Sequence, residues 1–223
     1  LSFGTFGCNF RCSFCQNADM SQKSKVHKVV KSVKSIFDEL EFVSPEAVVK
    51  LALKYKTPSI AYTYNEPTIF VEYAHDIMAL AREAGLKNVF VSNGYESMET
   101  WEYIGPYLDA INIDLKSFSD DFYKKQCGAR LQPVLDSIRE CHRRKIWQEI
   151  TTLLIPNEND SDKELTQIAE FIASVDKGIP WHISRFHPDY KMLDKDETSL
   201  QSLERAREIG LKAGLKYVYL GNV

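Results

Sequence analysis

Three cysteines carry the clearest chemistry in this chain. They stand in the run Cys8-Asn9-Phe10-Arg11-Cys12-Ser13-Phe14-Cys15, with three and then two residues between them. Thiols this close make poor disulfide bridges. The other two cysteines, Cys127 and Cys141, stand apart and leave an odd total of 5. Such a distribution points to metal ligation in a reducing compartment. Three thiolates on one short loop suit a 4Fe–4S cubane, with one thiolate on each of three irons and the fourth iron open to a ligand. Gly4 and Gly7 just upstream let the backbone bend closely around such a group. A zinc site is the alternative, and it needs a fourth ligand, for which His27 is the nearest histidine.

Other polar residues with chemical potential stand just after β-rich runs. Asn65-Glu66-Pro67 follows Ser59-Ile60-Ala61-Tyr62, where a lone carboxylate also suits a helix N-terminus. Ser92-Asn93-Gly94 follows Val89-Phe90-Val91 and reads equally as an ordinary turn. Asp114 and Lys116 follow Ala110 to Ile113; as alternate residues they face the same side, and they could also form a structural ion pair. His187 follows the run from Trp181 to Phe186 and reads equally as a rim histidine bonded to backbone or, with Asp189, Tyr190 and Lys191, as lining of a substrate entrance. Cys127 and Cys141 read as small apolar residues on helices.

The elements that must position these residues repeat along the chain. A capping Ser44 with Pro45 at the first helical position opens a helix whose Val48, Leu51, Ala52 and Tyr55 share one face. Pro67 opens another, with Phe70, Tyr73, Ile77, Leu80, Ala81 and Ala84 toward the core and Gly85 as its left-handed cap. Further helices are expected from Ser97 to Ile104, in segments out to about Arg144, from Asp162 to Val175 and from Leu200 to Ala213. Strands are expected at Leu1–Thr5, Glu149–Leu154 and Tyr217–Leu220 as well as at the runs named above. Six strand–helix units and a last strand require parallel pairing through helical crossovers. The fold expected is α/β, a partial (β/α)6 barrel with one additional C-terminal strand. Chemistry in such folds sits at the carboxyl ends of the strands, where the polar residues fall.

At 223 residues, with 44% hydrophobic and 26% charged side chains, one domain spanning 1–223 is expected. Leu1 in place of Met suggests a piece of a longer product. No apolar run reaches the roughly 20 residues of a membrane span, and no signal-peptide pattern is visible at the start. The net charge of −3 offers no general attraction to nucleic acid. The one basic stretch carries Lys23, Lys25, Lys28, Lys31 and Lys34 and reads as a solvated amphipathic element. It falls in extra sequence at about 20–43, beside the cysteines, where it could cover the site or dock an electron donor.

The cysteine loop, with the aromatic Phe14 before its third cysteine, resembles the signature of the radical S-adenosylmethionine (SAM) superfamily. The wider chain is similar to its pyruvate formate-lyase activating enzyme-like branch, and most to the radical SAM member of the AmmeMemoRadiSam system. That likeness runs through Tyr62-Thr63-Tyr64-Asn65-Glu66-Pro67-Thr68, Val91-Ser92-Asn93-Gly94-Tyr95 and His187-Pro188-Asp189-Tyr190-Lys191-Met192. It implies a 4Fe–4S cluster on Cys8, Cys12 and Cys15 that cleaves SAM to a 5′-deoxyadenosyl radical, which takes hydrogen from a protein or small molecule. It further implies SAM contacts from Phe14, Asn65, Glu66, Ser92, Asn93, Asp114, Lys116 and His187. Glu66 would receive the SAM ammonium and Lys116 the carboxylate. Asn65 stands where the branch has a glycine, and Val91 where glycyl-radical activators have an aspartate linked to a monovalent cation. A flavodoxin or ferredoxin electron donor, a Memo-like partner and a cytoplasmic setting are also implied. A glycyl-radical enzyme activase and a non-catalytic Fe–S or zinc protein are the alternatives.

Overall fold

The computed structural model describes residues 1–22 and 43–223. The basic Lys23–Lys34 stretch and His27 lie outside the described residues. Seven parallel strands pair in chain order: β1 (Ser2–Phe3), β2 (Ser59–Tyr62), β3 (Lys87–Ser92), β4 (Ala110–Asp114), β5 (Trp147–Leu154), β6 (Trp181–Arg185) and β7 (Val218–Gly221). Consecutive pairing puts all carboxyl ends on one side, as the registers Phe3↔Tyr62, Ser92↔Ile113, Asp114↔Thr151 and Leu154↔Arg185 show. β1 and β7 are the outer strands, so the sheet is open, the partial barrel that the strand–helix repeat implied.

Among the described residues the helices are α1 (Ala18–Ser21), α2 (Pro45–Lys54), α3 (Val71–Glu83), α4 (Met98–Ile104), α5 (Asp120–Phe122), α6 (Leu131–Arg143), α7 (Asp162–Val175) and α8 (Leu200–Lys212). Serine side chains cap α2, α4, α5, α7 and α8 by accepting N–H groups of the first turn, as Ser161 does from Glu164 at 3.3 Å. Each cap satisfies a donor that helix geometry leaves orphaned. No described helix is long and apolar enough to cross a membrane.

Period-two burial divides each strand between two faces. On β5, Gln148, Ile150, Thr152 and Leu154 are buried, while Thr151 and Leu153 turn toward the concave side. Trp181 on β6 lies against α8, where only Gly210 leaves room: a Cβ there would approach the indole to 2.9 Å. The helices therefore cover one face and leave the other for the site.

The structure refines three expectations. On α2 the buried residues are Val48, Val49 and Ala52, while Leu51 and Tyr55 are exposed. Pro67 opens a 3-10 turn, Pro67–Phe70, before α3 begins, and Ala84 is exposed because α3 has ended before it. The helical region toward Arg144 is broken by a π turn, Tyr123–Cys127, which stops at the left-handed Gly128 (φ 68°).

Asn88 on β3 shows how a polar residue stabilises this frame. Fully buried, it donates to the carbonyls of Met78 (3.0 Å) and Tyr107 (3.1 Å) and accepts from the Tyr62 hydroxyl (3.1 Å). Asn88→Leu would strand three buried polar groups, so a loss of about 3 kcal/mol or more is expected in urea denaturation. Tyr62→Phe removes one bond and should cost about 1 kcal/mol in the same measurement.

Candidate active site

The cysteine loop has almost no secondary structure of its own and is held by other strand ends. Asn65, after β2, accepts from the Thr5 N–H (3.0 Å) and donates to the Thr5 hydroxyl (3.1 Å) and the Gly7 carbonyl (2.9 Å). Gly4 permits this approach, since a Cβ there would lie 2.5 Å from the Thr63 carbonyl oxygen. Arg11 N–H donates to the Cys127 carbonyl (2.7 Å) and Ser13 N–H to that of Gln126 (2.9 Å), so the π turn braces the loop from beyond β4. Asn93, after β3, donates to the side chain of Asn9 (2.6 Å) and lies 3.8 Å from Cys8 Sγ.

Cys8, Cys12 and Cys15 line one cavity of about 250 Å³ at the carboxyl ends of the strands. Its wall includes Phe14, Asn65, Glu66, Ser92, Asn93, Asp114 and Lys116, seven of the eight residues implied as SAM contacts. His187 is the exception. It is exposed on the rim, and its Nε2 meets Gln16 Nε2 at 3.1 Å, just after the third cysteine. Beyond the cysteines the cavity continues along Thr151, Leu153 and Ser184.

Glu66 is placed differently from the expectation of a free SAM acceptor. It is 1% exposed, and both its oxygens already accept from the protein. Oε1 takes the Thr68 N–H (3.0 Å), the Thr68 hydroxyl (2.8 Å) and the Ser92 hydroxyl (2.9 Å), and Oε2 takes the Asn93 N–H (2.7 Å). A second carboxyl, Glu96, approaches the same hydroxyls, at 2.6 Å from Ser92 and 3.2 Å from Thr68. Burial raises both carboxyls above their ordinary range, and repulsion between two ionised carboxylates works in the same direction on the pair as a whole. Ser92 thus serves this buried knot with its side chain. Sequence reasoning missed Glu96, Thr68 and Asn9; the strand-end position that singled out Ser92 and Asn93 stops three residues short of Glu96.

Asp114 and Lys116 do share a side, as their spacing implied, and pair at 2.8 Å. Burial works against the Lys116 ammonium, but the Asp114 carboxylate and the neighbouring thiols outweigh it and hold its pKa well above the ordinary value. Its Nζ lies 5.8 Å from the centre of the Phe14 ring.

The residues fit an iron–sulfur cluster. Cys8 Sγ accepts the Phe10 N–H at 3.3 Å, and Cys15 Sγ meets the Ser21 hydroxyl at 3.0 Å, so groups are in place to support sulfur ligands. Burial pushes the Cys8 thiol up to about 11, and Cys12 is held well above the ordinary thiol range by its contact with Cys127 and by burial. Binding there must expel protons, which a cluster's cationic irons do. Among the described residues no three His, Cys, Asp or Glu side chains converge on a single ion. A cubane, which gives each thiolate its own iron, does not require that convergence. Asn65→Ala removes every side-chain anchor between the β2 end and the loop. A loss of about 1–3 kcal/mol is expected in denaturation, with lower iron content after anaerobic reconstitution.

Comparison with known proteins agrees with this geometry. The model of the Radical SAM superfamily matches residues 3–171. The uncharacterized protein MJ0808 of Methanocaldococcus jannaschii is 41% identical over all of this chain, which spans 63% of that relative's length. The pyruvate formate-lyase-activating enzyme of Listeria monocytogenes is 23% identical, over 94% of this chain and 79% of its own. In fold, the chain resembles a domain of the corresponding Bacteroides vulgatus enzyme, with a TM-score of 0.66 at 20% identity over 74% of this chain and 99% of that one. It also resembles Streptococcus suis SuiB bound to S-adenosylmethionine, with a TM-score of 0.72 at 12% identity over 99% of this chain and 50% of that one. Fold, cysteine loop and family match coincide, and the chain belongs to the radical SAM superfamily, whose members use a 4Fe–4S cluster and S-adenosylmethionine.

Proposed function

We propose that residues 1–223 form one radical SAM domain in which Cys8, Cys12 and Cys15 each hold one iron and the adjoining cavity binds SAM. The observation that carries this reading is the one cavity shared by the three thiols, Asn93, Asp114 and Lys116. Bound on these thiols and beside Asn93 and Lys116, a cluster and SAM would supply radical hydrogen-abstraction chemistry.

The chain's own residues bind, orient and exclude water. Lys116, fixed by Asp114, is the charged donor suited to the SAM carboxylate. Asn93 reaches the cysteine loop and faces the cavity, where its amide suits the ribose or carboxylate. Glu66 holds the Asn93 N–H and sets a negative charge behind the place of the SAM ammonium, acting by field and position. Asn65 orients the cysteine loop, and His187 with Gln16 closes the rim. Phe10, Phe14 and Tyr123 are buried around the loop and exclude water, which strengthens each electrostatic contact. Thr151, Leu153 and Ser184 mark the end of the cavity open to substrate.

Within this class the motifs after β2, β3 and β6 favour an AmmeMemoRadiSam-like enzyme acting on a protein or small molecule, with a Memo-like protein as a possible partner. A glycyl-radical activase is the second reading, favoured by the Listeria activating-enzyme relative. Either needs a low-potential donor of the flavodoxin or ferredoxin type and a reducing, cytoplasmic setting.

After anaerobic reconstitution with iron and sulfide, SAM and dithionite should yield 5′-deoxyadenosine, and Cys12→Ala should abolish it. Lys116→Met should retain iron but weaken SAM binding about tenfold or more, as loss of one hydrogen bond between charged groups does. Zinc bound in place of iron, with no 5′-deoxyadenosine, would overturn the reading.

A further inference from the structure

Four short contacts join two hydroxyls to two buried carboxyls: Ser92 to Glu66 (2.9 Å) and Glu96 (2.6 Å), and Thr68 to Glu66 (2.8 Å) and Glu96 (3.2 Å). Each hydroxyl has one hydrogen to donate. With both carboxyls ionised, Ser92 could serve only one of them, and its other contact would set lone pair against lone pair out of reach of water. Glu66 must offer lone pairs, because each of its oxygens accepts a backbone N–H. Among the described residues no backbone N–H of another residue donates to Glu96; its Oε2 is buried without a hydrogen-bond partner within bonding distance, with Ser137 of α6 nearby.

We infer that Glu96 carries a proton and donates it to Ser92, which donates in turn to an ionised Glu66, making Glu96 a positioning residue for Asn93 and the cysteine loop. This polarity fills the capacity of Ser92 oxygen completely. It accepts from Glu96 and from the Gly94 N–H (3.0 Å) and donates to Glu66. Glu66 then keeps its full charge and holds the Asn93 N–H at 2.7 Å, while the Asn93 side chain reaches Asn9 and Cys8. The groups facing the carboxyl pair are Thr68 from the 3-10 turn, Ser92 and the Asn93 N–H after β3, and Ser137 and Cys141 from α6. Cys8 lies within electrostatic reach of Glu66. No cation is among them to neutralise a second negative charge, and burial favours the neutral acid.

The sign of the linkage follows. The folded chain holds a proton that an unfolded glutamate releases at about pH 4.3. Stability contributed by this site is therefore complete below that pH and declines as pH rises toward the raised value of the folded pair. Glu96→Gln offers an amide N–H in place of the acid O–H and has no proton to lose.

The relay rests on the SAM-binding reading only for its consequence; the proton itself is measured without SAM. Infrared spectra of the reconstituted protein at neutral pH should contain a protonated carboxylic acid band that Glu96→Gln removes. Glu96→Gln should flatten the fall of melting temperature with rising pH. SAM should bind Glu96→Gln about tenfold or more tightly than Glu96→Ala, since only the amide preserves the donor to Ser92. An acid band that persists in Glu96→Gln, or none in the parent, would overturn the inference. So would a pH profile of stability that the variant leaves unchanged. If the infrared band behaves as expected but no variant binds SAM, the SAM-binding reading fails and the proton assignment stands.

Discussion

Everything in this site depends on how an eight-residue loop with three thiols is kept in one shape. Such a loop cannot satisfy its own backbone groups, and buried polar groups without partners are costly. The protein meets the need from outside. Asn65 supplies an amide from the end of β2, Asn93 another from the end of β3, and the π turn after β4 supplies two carbonyls. A π turn is an unfavourable way to continue a helix, and such turns recur at functional sites. Here it turns the Gln126 and Cys127 carbonyls toward the cysteine loop.

The same economy governs charge. Lys116 stays protonated in a buried place because Asp114 lies beside it, and Glu66 is surrounded by donors from two loops. These groups set a cation on one side of the cavity and an anion on another. The cation and its partner stand at the end of β4 and the anion after the end of β2. The open sheet brings those ends to one rim by pairing its strands in chain order.

Much of this was legible in the chain. The cysteine spacing, the strand–helix repeat and the serine caps are local signals with a direct physical cause, and apart from the 3-10 turn that delays α3 to Val71 the expected elements differ from those observed by a residue or two at their ends. Asp114 and Lys116 were readable because a strand's period of two puts alternate residues on one side. The break at Tyr123–Cys127 was not, because a π turn has the composition of an ordinary helix and is stabilised by the loop it supports. Glu66 was singled out, but its protein donors were not, because Ser92 and the Asn93 N–H reach it from the end of another strand, 26 and 27 residues on.

The sequence by itself determined which thiols share one short loop, where strands and helices run, and that the polar residues fall at strand ends. It did so because thiolate chemistry, backbone periodicity and capping act over a few residues. Tertiary structure alone decided that Asn65 serves the cysteine loop and that Glu96 joins Glu66 through Ser92. It also placed His187 on the rim, outside the cavity wall. Those outcomes depend on contacts between residues 26 to 171 positions apart. At that range burial and hydrogen-bond satisfaction, which no local pattern encodes, decide which partner each polar group finds.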